Sequence, residues 1–119
     1  MMNALASILV GLVAVLHVYF LVIEMFLWDK PYGLRTFGHT REAARASKTL
    51  AMNQGLYNGF LAAGLVWGLG LGAEGQAIKI FFLACIVIAG IFGGLTATRK
   101  ILLVQALPAA AALALVCVS

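Results

Sequence analysis

Acidic side chains are scarce in this chain: four aspartates and glutamates stand against eight lysines and arginines, and charge of both signs makes up only 10% of 119 residues. A soluble domain carries about 25% charge, so the shortage excludes an ordinary water-facing surface. Cysteine is equally rare. Cys85 and Cys117 lie in apolar surroundings on different segments, which argues against a disulfide framework or a zinc cluster and leaves small packing residues as the plain reading. No glycine loop of the kind that cradles phosphate is present, and Ser7 and Ser47 have no base at a suitable spacing, so nucleophilic catalysis lacks its parts.

What the chain does have is apolar length, with 64% hydrophobic residues. Four runs, Asn3 to Leu27, Leu50 to Leu71, Ile80 to Thr98 and Ile101 to Val118, are each near the ~20 residues that cross a hydrocarbon core as helix. The expectation is an all-α fold: a four-helix transmembrane bundle, oligomeric, with helices at about 3–28, 40–72, 78–98 and 100–118 forming a single integral membrane domain over residues 1–119. The first run lacks the basic flank of a secretory signal and continues past its usual apolar length, so it is expected to stay.

Lysine and arginine in the connections set the orientation, because basic loops stay cytoplasmic. Lys30, Arg35, Arg41, Arg45 and Lys48 separate the first and second runs, Arg99 and Lys100 separate the third and fourth, and Lys79 alone falls on the other side. This is the pattern of a multi-pass membrane protein with both termini outside the cytoplasm. The net charge of +4 then reflects topology and contact with anionic headgroups, and nucleic acid is excluded as a partner.

Local signals subdivide the runs. Asp29, Lys30, Pro31, Tyr32 and Gly33 bring charge, a proline and a glycine together and are expected to stop the first helix near Trp28. Thr40 reads as the N-cap of a helix that begins in the cytoplasm, with Glu42 in its first turn. Small-residue ridges follow: Gly55, Gly59 and Ala63, then Gly64, Gly68 and Gly72, and on the third run Gly90 and Gly94 with Ala89 and Gly93. Such ridges bring helices close where lipid gives no hydrophobic drive to association. Arg99 and Lys100 make so short a link that the last two helices form an antiparallel hairpin, and Pro108 is expected to kink the last one.

The polar residues inside the runs are the best pointer to function. Ionisable groups in a membrane helix cost roughly 2.5–3.5 kcal/mol at its centre and face a partner or a wet cavity. At about 100° per residue His17, Glu24 and Trp28 share one stripe, and the second run offers Asn53, Gln54, Tyr57 and Asn58. In antiparallel helices Glu24 matches the depth of Leu50 to Asn53, and His17, about 10 Å deeper, matches Tyr57 and Asn58. One reading is a hydrogen-bond network that fixes packing. The other is a cytoplasm-facing pocket for a small polar or amphipathic ligand, in which Glu24 and His17 are charge and proton partners. Arg99 and Gln105 of the last connection and helix complete the ligand-binding candidates. A metal site is not expected, since seven residues separate His17 from Glu24 by about 10 Å.

The segment NQGLYNGFLAAGL at Asn53 to Leu65, the run RKILLVQALPA at Arg99 to Ala109 and the stripe of His17, Glu24 and Trp28 resemble an uncharacterised bacterial membrane family, the domain of unknown function 1304. More distantly, Tyr57 to Leu61 and Arg99 to Ala109 are similar in placement to the membrane-associated proteins in eicosanoid and glutathione metabolism. That likeness implies a trimer and glutathione as cofactor, bound between subunits, with Arg99 and Lys100 holding the anionic thiol in a transferase-like reaction. Where that family carries arginine, asparagine and glutamate on its second helix, this chain has Leu50, Ala51 and Gln54, and Leu103 or a neighbour replaces its tyrosine. A small proton-coupled exporter using Glu24 is the remaining alternative; coupling carboxylates usually sit near the midplane.

Overall fold

The computed structural model describes residues 2–119. Among the described residues the fold is all-α, with five α-helices: α1 Met2–Val22, α2 Pro31–Phe37, α3 Arg41–Gly70, α4 Gln76–Thr96 and α5 Leu107–Cys117. Two π-helical turns, Ile23–Leu27 and Leu102–Ala106, extend α1 and precede α5, and a 3-10 turn, Gly72–Gly75, leads into α4. Asn3–Leu27 and Gly72–Thr96 are long and apolar enough to cross a membrane. The polar Asn53, Gln54 and Asn58 dilute α3, and the last apolar helix, Leu102–Cys117, is shorter.

The chain divides into two compact units, Val15–Ala62 and Met1–Ala14 with Ala63–Ser119. In the unit Val15–Ala62, capping decides where helices start. Thr40 Oγ1 accepts the Ala43 N–H at 3.1 Å, satisfying one of the donors orphaned at the start of α3. The first apolar helix ends at Trp28, as the charge, proline and glycine after it indicate, and Pro31 then occupies the first turn of α2, where a proline loses no hydrogen bond and its fixed φ suits a helix. Gly38, at φ 64°, ends that helix in the left-handed conformation favourable to glycine. Gly33 lets α2 press against the preceding turn, because a Cβ there would strike the carbonyl oxygens of Leu27 and Trp28.

Glycine ridges organise the packing inside each unit. In Val15–Ala62, Gly59 faces the Leu21 side chain, and Gly55 faces Leu21, Glu24 and Met25. In the other unit, Gly64 seats the Phe82 ring, Gly90 lies against Ala106, and Gly94 against Leu102. The core of that unit is aliphatic, with Val10, Leu65, Leu83, Ile86, Ala109, Ala112 and Val116 buried. The π-helical turn at Leu102–Ala106 sits just before Pro108. A proline lacks an N–H and its ring crowds the preceding turn, so a local change of hydrogen-bond register accommodates it.

Candidate functional site

The polar residues of unit Val15–Ala62 form two groups. The first is built where α3 meets the end of α1 and the π-helical turn. Glu24 lies in that turn, and its Oε1 accepts a hydrogen bond from Asn58 Nδ2 at 2.5 Å. Asn58 is buried, as is Ile23 beside the carboxylate in sequence. Because Gly55 has no side chain, the α3 backbone approaches the turn closely enough for Asn58 to reach; a Cβ at Gly55 would stand 3.2 Å from Glu24 Cβ. His17 is fully buried, edge-on to Phe20 with ring centroids 5.1 Å apart. A half-buried carboxylate held by one neutral amide keeps a second oxygen for a hydrogen-bond donor or a cation.

The second group surrounds Trp28. Its indole N–H donates to Ser47 Oγ at 3.0 Å, and Ser47 donates to the Ala43 carbonyl at 2.7 Å. His39 Nε2 donates to the Trp28 carbonyl at 3.2 Å, which fixes the tautomer with the proton on Nε2. The His39 and Phe37 rings lie 4.7 and 4.8 Å from that of Trp28. Lys48 Nζ donates to Asp29 Oδ2 at 3.2 Å; that ammonium holds the Asp29 carboxyl below its ordinary value. Tyr19 and Tyr32 join hydroxyl to hydroxyl, tying α1 to α2.

Of the residues singled out from the sequence, Glu24 and Asn58 meet directly. Trp28 contacts Ser47, His39 and Phe37. The π-helical turn explains its direction: residues advance there by less than the 100° assumed for a regular helix, so the stripe through His17, Glu24 and Trp28 changes phase before Trp28. Asn53, Gln54 and Tyr57 are exposed on α3. Arg99 and Gln105 belong to the other unit, Arg99 exposed and Gln105 half-buried in the turn Leu102–Ala106. The link of Ser47 and His39 to Trp28 was not legible in the sequence, because no local pattern joins them to an indole 19 and 11 residues away.

The family described as Protein of unknown function (DUF1304) matches residues 11–117. The chain belongs to the DUF1304 family. A relative by similarity, the uncharacterized protein YpaA of Lactococcus lactis subsp. lactis (strain IL1403), is 32% identical over 106 residues, covering 87% of this chain and 89% of its own. No solved structure matches. The similarity to eicosanoid and glutathione proteins finds no support in these comparisons.

Proposed function

We propose that this DUF1304 protein is a multi-pass inner-membrane protein of four membrane helices that binds a small polar or amphipathic ligand through Glu24, from the cytoplasmic side. The observation carrying the reading is the Glu24 carboxylate inside the apolar segment Asn3–Leu27, held among the described residues by the amide of Asn58. A carboxylate there costs free energy unless it serves a partner or a wet cavity. His17 and Trp28 stand on the same segment of chain.

The working form is a homo-oligomer, with a trimer favoured. Asn53, Gln54 and Tyr57 project from α3 without burial in one chain. Amide groups on a membrane helix find partners on neighbouring helices or in water-filled cavities, so a second subunit on this face supplies what one chain leaves out. The basic residues of the connections support an orientation with both termini outside the cytoplasm.

Native mass spectrometry of the full chain released from mild detergent tests both parts. The expected result is a trimer carrying a co-purifying small molecule that is lost in Glu24→Gln and in Asn58→Leu. A monomer, or an identical ligand complement in wild type and both variants, would overturn the reading.

A further inference from the structure

The unit Met1–Ala14 with Ala63–Ser119 contains a cavity of about 450 Å³ into which Lys79 faces. Lys79 is only 8% exposed, and among the described residues its ammonium has no hydrogen-bond or ion-pair partner. Its position is built. The Lys79 stem lies over Gly68, where a Cβ would come within 2.7 Å of the Lys79 Cγ, so the side chain runs along a glycine and delivers its charge to the cavity. Gln76, one turn earlier on α4, is anchored by donating to the Val116 carbonyl at 2.5 Å. The amides of Asn3 and Gln76 and the hydroxyl of Ser7 line the same space, while Leu69 and Val116 give it apolar walls.

Among the described residues no buried side-chain nitrogen or oxygen lacks a partner, so the Lys79 ammonium keeps its contact with the open space of the cavity and can meet a ligand there. No aspartate or glutamate lines the cavity, so an anion entering it would meet the Lys79 ammonium as its charge partner. The remaining polar groups on the wall include donors suited to oxyanions, and a lysine serves as a point charge for phosphate. The volume falls in the range of small-molecule sites. Depth narrows the choice further: the two segments long enough to cross a membrane begin at Asn3 and Gly72, and both residues line the cavity.

We propose that this cavity binds a phosphate group, with Lys79 as its charge partner and Ser7, Asn3 and Gln76 as hydrogen-bonding groups. The phosphate has two sources, an anionic lipid headgroup at interface depth or free phosphate. Only the lipid source rests on reading the two apolar segments as membrane spans, and the site is separate from the one at Glu24.

The test uses the full chain in a neutral detergent, with dihexanoyl phosphatidylglycerol, dihexanoyl phosphatidylcholine and inorganic phosphate as probes, read by thermal unfolding and native mass spectrometry. Phosphatidylglycerol is expected to bind and raise Tm where phosphatidylcholine does not, with Lys79→Met weakening it roughly tenfold or more and Lys79→Arg retaining it. A Lys79-dependent response to inorganic phosphate alone also supports the site and identifies free phosphate as its source. Lys79→Met keeps an unbranched stem along Gly68 and is expected to fold; Lys79→Gln, read the same way, serves if it does not. Equal responses in wild type and these charge-removing variants, or no response to either anionic probe, would overturn the proposal.

Discussion

Asn58 reaches the Glu24 carboxylate at 2.5 Å across 34 residues of sequence, and the glycine one turn before it, Gly55, supplies the clearance that makes the distance attainable. The two substitutions at this pair are therefore unequal. Asn58→Leu deprives a half-buried carboxylate of its donor and is expected to cost about 1–3 kcal/mol. Glu24→Gln retains an acceptor oxygen and is expected to cost less than about 1 kcal/mol. Unfolding in mixed micelles measures the difference, and equal losses would show that the bond does not organise the contact.

Glycines in this fold separate into those with neighbours and those without. A Cβ at Gly90 would meet Ala106 backbone and side-chain atoms at 2.7–2.9 Å, whereas one at Gly11 would meet nothing within 4 Å. Gly90→Ala is expected to destabilise by about 1–3 kcal/mol through overpacking. Gly11→Ala is expected to stabilise by about 0.5–1 kcal/mol through helix propensity. Melting temperatures moving in opposite directions would bear this out.

The Trp28 indole bond to Ser47 fixes where α3 begins relative to the end of the first apolar segment. Trp28→Phe and Ser47→Ala each remove it, and each is expected to cost about 0.5–1.5 kcal/mol. A double-mutant cycle separates this bond from the ring packing on Phe37 and His39 that Trp28→Phe also perturbs. Additive losses would mean the two groups are not coupled.

Asp29 has a carboxyl held below its ordinary value by Lys48. Because the folded value is the lower one, the stabilisation is present above the unfolded carboxylate value and is lost as pH falls through the folded value. Wild type and Lys48→Met are thus expected to differ in Tm at neutral pH and to converge in acid, below the ordinary carboxylate range. Both residues are partly solvated, so added salt is expected to shrink the neutral-pH difference.

Cys117 is exposed near the end of α5, and Cys85 is half-buried in α4. In a Cys85→Ser background, a membrane-impermeant maleimide applied to intact spheroplasts is expected to label Cys117, as the proposed orientation requires. Labelling only after lysis would reverse that orientation.

Several features were legible without tertiary structure because their causes are local. Apolar run length and the scarcity of charge point to helix throughout; Thr40 is a cap because its hydroxyl serves an N–H three residues on; and the ridge at Gly55 and Gly59 is visible as spacing alone. The stop near Trp28 was legible, but α2 was not, because proline follows one helix and also opens the next, and that second helix depends on docking through Gly33. The direction of Trp28 was illegible for a related reason: a single π-helical turn shifts the phase of every side chain after it.

The sequence by itself determined the all-helical class, the family and the ionisable residues that have to be accommodated in apolar segments, since composition, periodicity and short-range capping act along the chain. Tertiary structure alone decided which of those groups meet. Glu24 pairs with Asn58, Gln76 with the Val116 carbonyl 40 residues away, and the Lys79 stem with Gly68. Those pairings depend on how closely two backbones approach, which Gly55 permits at the first and Gly68 at the third, rather than on anything adjacent in sequence.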